Sequence, residues 1–291
     1  MSSAQNNYFI PEPSKWPIIA MLSILLLLLG SALSFNDVSV GNYMIVFGFA
    51  LLTYMFHGWF SEVIGESLSG KYGEQEDSSF RQGMFWFIAS EFFFFLCFFG
   101  SLYYLREIAV GWLSGEGYLA ATQEFLYPAF EGAAAAWPTA GPELVGGAFE
   151  SMGPTGVPLI NTALLLTSGV TLTIAHHALK KENNSGLVLW MWATIALGLT
   201  FVGFQAYEYI HAYSELNLTL GTGVYGSTFY ILTGFHGFHV VMGSIMLIVI
   251  ALRSAKRHFT PKHHFAFEAV AWYWHFVDVV WLGLFIFVYW L

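Results

Sequence analysis

Phe267-Glu268-Ala269-Val270-Ala271-Trp272-Tyr273-Trp274-His275-Phe276-Val277-Asp278-Val279-Val280-Trp281-Leu282 is a run of large apolar and aromatic residues. With Gly283 to Leu291 it is long enough to span a bilayer, for which about 20 residues are needed. Yet it carries His275 and Asp278 three residues apart, on one helical face and about one turn from each other. A carboxyl group at that depth costs roughly 2.5–3.5 kcal/mol even on the most lenient scale. It therefore calls for a partner helix, a water, a lipid head group or a proton path beside it.

Working outward, the whole chain has the same character. Of its 291 residues 56% are hydrophobic, 19% aromatic and only 10% charged, with a mean hydropathy of +0.60. Soluble domains carry about 25% charged residues, so the class is a polytopic all-α membrane protein. The single cysteine, Cys97, leaves no disulfide framework and no cysteine metal site. Neither a P-loop nor a dinucleotide fingerprint is present, and no Ser-His-Asp arrangement is placed by motif. There is no basic patch of the kind that binds nucleic acid, and no 20–50-residue repeat.

Hydropathy predicts seven spans: Trp16–Phe35, Gly41–Ile64, Gly83–Leu105, Val157–Leu179, Leu187–His211, Ser227–Leu252 and Ala269–Trp290. The first reads as a retained helix rather than a signal peptide, because its leader is not basic and its apolar core is too long. Seven spans put the N-terminus and three loops on one side. Those segments hold Lys15, Lys71, Arg81, Lys180, Lys181, Arg253, Lys256, Arg257 and Lys262, against Arg106 alone on the other side. The positive-inside rule then predicts a cytoplasmic (or matrix) N-terminus and an external C-terminus. The expected organisation is a cytoplasmic segment 1–15, helices I and II over 16–66, a cytoplasmic loop 67–82, and a bundle over 83–291. Within that bundle lies a long external loop, 107–156. The loop holds Glu107, Glu116, Glu124, Glu131, Glu143 and Glu150; it is either a docking surface for a basic partner or simply the side depleted of basic residues.

Several polar side chains fall at membrane depth. Glu91, within Ser90-Glu91-Phe92-Phe93-Phe94-Phe95, is a carboxyl in an aromatic wall: a proton-exchanging group, or a neutral acid bonded to the next helix. Glu208 and His211 read as an interfacial polar cluster between Tyr207 and Tyr209. His236 and His239 share a helical face and are able to chelate, but Gly234 and Gly237 beside them point to close helix packing with imidazoles bonding across the gap. The neighbours His176-His177 and His263-His264 point about 100° apart on a helix and make poor chelates. They suit phospholipid head groups beside Lys180, Lys181 and Lys262. His57 and Trp59, followed by Glu62 and Glu66, read as an interfacial belt or a head-group contact. No metal site and no self-contained catalytic site is expected. A secondary transporter working through Glu91 and Asp278 remains a competing class, although no inverted repeat supports it.

These residues also form motifs. Tyr225-Gly226-Ser227-Thr228-Phe229, Gly234-Phe235-His236-Gly237-Phe238-His239-Val240 with Gly243-Ser244, His263-His264-Phe265 and the closing stretch from Phe267 resemble the second half of cytochrome c oxidase subunit III. Ser90 to Phe95 resembles that family's carboxyl-bearing third helix. Asn161-Thr162, Thr173 and Ala175-His176-His177 resemble its fourth helix, and Gln205 with Glu208-Tyr209 its fifth. The likeness covers nearly all of 83–291 outside the long loop. It is looser before that, where Trp59 and Glu66 fit but Gly65 stands in place of a basic residue. The resemblance implies seven helices, with the first two splayed from a five-helix bundle and phospholipids in the cleft between. It implies no redox centre in this chain, haem and copper lying in the partner subunits I and II. The implied role is to stabilise subunit I and support proton uptake by a proton-pumping oxidase in a bacterial plasma membrane or a mitochondrial inner membrane. By position, Glu91 becomes the family's reactive carboxyl and Arg253 an anchor for an anionic lipid. His236, His239, His275, Glu208 and His211 become structural polar contacts. Cytochrome c, or another respiratory complex, is the partner implied near the long loop. Seven spans favour the cytochrome c branch over quinol oxidases, whose third subunit commonly lacks the first two helices.

Overall fold

The computed structural model describes residues 9–131 and 135–291. The first eight residues of the predicted N-terminal segment, and residues 132–134 of the predicted long loop, lie outside the described residues. The fold is helical: α1 (Trp16–Phe35), α2 (Val40–Leu68), α3 (Glu74–Tyr103), α4 (Val110–Leu113), α5 (Ala120–Leu126), α6 (Val157–Lys180), α7 (Asn184–Ser214), α8 (Gly223–Ala255) and α9 (Phe265–Leu284). Among the described residues seven helices are long and apolar enough to cross a membrane, as the hydropathy predicted. A wide π-type turn over Tyr104–Ala109 carries α3 on into α4, and a second one, Phe285–Trp290, extends α9.

The chain forms two compact units, Met1–Gln82 and Gly83–Leu291. In the first, α1 and α2 lie close because glycines face one another: a methyl group on Gly41 would come within 2.5 Å of the Gly30 carbonyl oxygen. In lipid there is no water to drive apolar faces together, so small residues that permit close backbone approach are the usual seam. The Trp16 ring fills the space beside Gly58, and its indole N–H donates to Glu62. Leu25, Leu28, Val46 and Phe47 remain exposed, as lipid-facing side chains should be.

In the second unit α6 packs on α7, α7 on α8, α8 on α9 and α9 back on α6, a closed ring of four helices. Local chemistry fixes its corners. Asn183 accepts from the Gly186 N–H (3.0 Å) to cap α7, and Pro158 begins α6. The buried core is centred on Trp274 and Trp281 of α9, both without solvent exposure. α3 lies against α8 and α9 through phenylalanines: Phe94 and Phe98 meet Phe235, Phe95 meets Phe276, and Phe99 meets Phe287.

The first span has the predicted bounds, and the other six run longer than hydropathy predicted, because their polar ends are still helical. The third differs most. It continues to Leu113 instead of ending at Leu105, so the connection begins later than residue 107 and contains short helical turns. That connection folds back on the α7–α8 turn. Asn217 donates to the carbonyls of Gly146 (3.1 Å) and Ala148 (2.9 Å), and Phe149 stacks on Tyr225.

Candidate functional site

The two carboxyls singled out in the sequence both lie in the second unit, Glu91 against another helix and Asp278 near a histidine of its own helix. Glu91, on α3, is half-buried; its Oε2 lies 2.9 Å from His239 Nε2 on α8. The other ring nitrogen of His239, Nδ1, is 2.7 Å from the Phe235 carbonyl oxygen. A carbonyl only accepts, so Nδ1 carries a hydrogen. His239 Nε2 and Glu91 must then share one proton. Either the carboxylic acid donates to a neutral imidazole, or an imidazolium donates to the carboxylate. The phenylalanines at 94 and 95 edge the imidazole. Both readings open for Glu91, a proton-exchanging group and an acid bonded to the next helix, are compatible with this geometry.

Asp278 is buried on α9. Its Oδ2 lies 3.7 Å from His275 Nδ1, one turn back on the same helix. The carboxyl is pressed against α6: a methyl group on Gly169 would come within 2.6 Å of Asp278 Oδ2. The close approach of that backbone is therefore possible only with glycine.

His236 and His239 share a helical face as predicted, yet they serve different neighbours. His236 donates from Nε2 to the Val277 carbonyl on α9 (3.2 Å) and packs between Phe201 and Trp281. The indoles of α9 complete the polar seam: Trp274 donates to Ser168 and Trp281 to Thr162, each at 2.9 Å. Glu208 is buried on α7 and accepts from the Tyr289 hydroxyl at 2.6 Å, whereas His211 lies half-buried with its ring parallel to that of Tyr207. The sequence offered no sign of the Tyr289 contact, because the two residues lie 81 positions apart.

The lipid candidates separate into two kinds. His57 and Trp59 are exposed on α2. Trp59 and Glu66, with Glu12, Glu62 and Lys71, line a cavity of about 310 Å³ in the first unit. Tyr72 donates to Glu66 at 2.6 Å; burial first, and that carboxylate second, raise its hydroxyl pKa above the ordinary 10. Arg253, half-buried at the end of α8, stacks its guanidinium 4.6 Å over Phe259, and its Nε has no hydrogen-bond partner among the described residues. His263 is exposed, but His264 is buried and its ring faces Glu268 instead of the surface. The reading of both His pairs as poor chelates treated each pair separately. The fold takes one member of each, His176 and His264, and brings them together beside Glu268. Residues 176 and 264 come from different helices, so spacing along the chain carried no signal.

The family model for cytochrome c oxidase subunit III matches residues 6–111 and 118–291. The chain is 39% identical to cytochrome c oxidase subunit 3 of Marchantia polymorpha over 292 residues, covering 100% of this chain and 98% of the relative. It is 40% identical to the proteins of that name from Equus caballus and Latimeria chalumnae, covering 100% of this chain and 99% of each relative. A likeness that runs end to end through all seven apolar helices, and through the α3, α8 and α9 motifs that hold the polar contacts, means that this chain belongs to the cytochrome c oxidase subunit III family.

Proposed function

We propose that the chain is the non-redox third subunit of a proton-pumping cytochrome c oxidase. It supports subunit I, binds phospholipid and sustains proton uptake, while haem and copper reside in subunits I and II. The observation that carries this reading is the full-length likeness to subunit 3 proteins. The shared proton between Glu91 and His239 supports the proton-related part: a carboxyl at membrane depth, reachable from one side of α3, is able to exchange a proton without leaving an unpaired charge in lipid.

Two features support lipid binding. Arg253 offers a guanidinium beside an aromatic ring, its Nε without a partner among the described residues, suited to the phosphate of an anionic lipid at the helix end. The cavity beside Trp59 is lined by Glu12, Glu62 and Glu66 against Lys71, a balance that favours the ammonium of a zwitterionic head group. His57 and His263 are exposed where a head group can reach them. The acidic connection after α4 fits a basic partner such as cytochrome c. A bacterial plasma membrane is the proposed location, with a mitochondrial inner membrane as the alternative.

The test is to tag the chain, purify it from native membranes with its partners and measure three things: the proteins present, the reduced-minus-oxidised haem spectrum and the electron donor. The expected result is a complex containing haem-bearing subunits that oxidises cytochrome c. Oxidation of quinol but not cytochrome c reassigns the complex to the quinol branch. A stoichiometric haem or copper signal from the isolated chain refutes the non-redox role. Proton-coupled flux in liposomes holding this chain alone would favour the transporter.

A further inference from the structure

Inside the ring of α6 to α9, towards the end where α7 turns into α8, three buried side chains carry polar atoms that no neighbour satisfies. Asn161 of α6 is 0% exposed, Gln205 of α7 6% and Glu208 of α7 2%. Asn161 Nδ2 and Oδ1, Gln205 Nε2 and Oε1, and Glu208 Oε2 make no hydrogen bond among the described residues. The three share one level of the ring. α6 and α7 are joined by a short turn and run antiparallel, with Thr171 meeting Thr194 at 2.7 Å. Each step back along α6 from that contact is therefore a step forward along α7, which sets Asn161 level with residue 204, beside Gln205. Glu208 follows one turn further on the same face. α9 closes the other side: Trp281 donates to Thr162, next to Asn161, and Tyr289 donates to Glu208 Oε1. From α8, His236 packs on Phe201, one turn along α7 from Gln205, and its Nδ1 also lacks a partner among the described residues. The connection after α4 covers the end of the ring. The Tyr225 N–H donates to the Thr139 carbonyl at 3.2 Å, the Val224 N–H to Ala140 at 3.3 Å, and Phe149 stacks on the Tyr225 ring.

The chemistry of these atoms selects what they bind. Flipping either amide only exchanges its oxygen and nitrogen, and both positions lack a partner. The nearby hydroxyls donate elsewhere, Tyr209 to Thr233 and Tyr230 to the Leu218 carbonyl. Two amide donors are mixed with three oxygens. A cation would suit the oxygens and repel the amide hydrogens, and an anion would meet the Glu208 carboxyl. Water both donates and accepts, and a buried water makes about three hydrogen bonds to polar groups of this kind. We propose that Asn161, Gln205 and Glu208 form an enclosed site for about two or three ordered waters that bridge α6 to α7 and, through Glu208 and Tyr289, to α9. The site is distinct from the Glu91–His239 pair, which lies between α3 and α8, and it does not depend on the role proposed above.

The first test needs no variant. Cryo-electron microscopy of the native complex, at a resolution that separates waters, should show two or three discrete peaks, each about 2.6–3.2 Å from polar atoms of at least two of the three residues. One peak held by oxygens alone, continuous density larger than water, or two amides bonded directly to each other with no peak between them would overturn the proposal. The second test is a double-mutant cycle read as the rate at which the heated complex releases this chain. Asn161→Leu and Gln205→Met roughly keep side-chain volume and remove the polar atoms. Their effects should fail to add by at least about threefold in rate, because bridging water couples residues that share no direct bond. Asn161→Leu combined with Glu91→Gln, outside the ring, should be additive. Additive behaviour of Asn161→Leu with Gln205→Met, or equal coupling in the Glu91 pair, contradicts a shared water site.

Discussion

Glu91 and His239 exchange a single hydrogen-bond contact, but its consequence is sharp, because the Phe235 carbonyl fixes which nitrogen of His239 faces the acid. Glu91→Gln replaces a shared proton with an amide that donates to the same Nε2. Assembly should survive with a stability loss under about 1 kcal/mol, since one neutral hydrogen bond substitutes for another. Reaction with a hydrophobic carbodiimide should disappear. Labelling that persists in this variant means another carboxyl is the reactive one. His258, in the connection after α8, supplies the pH dependence. Burial above all, then Arg253 and Lys256, hold its pKa below the ordinary 6.5. The folded chain therefore resists protonation that the unfolded chain accepts. Its contribution to stability is complete above about pH 6.5 and is lost as pH falls below that value towards the folded one. Thermal midpoints should decline between pH 7.5 and pH 5, and His258→Asn should flatten the slope; an unchanged slope rules out this residue as the cause.

At the scale of elements, α9 is held by fit more than by hydrogen bonding. Interhelical hydrogen bonds in membranes average about 0.6 kcal/mol and reach about 1.7, whereas forcing an additional methyl into a packed contact costs about 1–3 kcal/mol. Gly169→Ala drives a methyl into Asp278, and Gly243→Ala puts one within 2.8 Å of the Trp274 ring. Each should destabilise the chain more than Ser168→Ala, which removes the acceptor of the Trp274 indole. Calorimetry or subunit retention on heating ranks the three, and a larger loss in Ser168→Ala contradicts the order. The helices themselves were legible because each has a long apolar middle that hydropathy detects. Their ends were not: Glu74 to Gln82 and Gly223 to Gly226 are too polar or small to score, yet are wound into α3 and α8. The candidate residues were legible as polar groups out of place, but their partners were not. Glu91 with His239, Glu208 with Tyr289 and His176 with His264 join helices far apart in sequence, and only packing brings them together.

For the molecule as a whole, the distribution of Lys and Arg is the orientation signal. Cysteines substituted at Lys181 and at Glu116, in a Cys97→Ser background, should react with a membrane-impermeant reagent from opposite sides: 181 from the cytoplasmic or matrix face and 116 from the other. Labelling of both from one side would refute seven spans or reverse the topology. The ring of α6 to α9 also bears on how the protein is made. Trp274 touches three helices at once: its ring lies against Gly198 of α7 and Gly243 of α8, and its N–H reaches Ser168 of α6. α9 leaves the ribosome after those three. Until it arrives, the slot it will fill presents the Ser168 and Thr162 hydroxyls and the Glu208 carboxyl to lipid. A chain stalled or cut before residue 265 is thereby marked by polar groups that only the last helix covers. Membrane quality-control proteases that sense polar groups in lipid would find in that slot a built-in signal for unfinished synthesis.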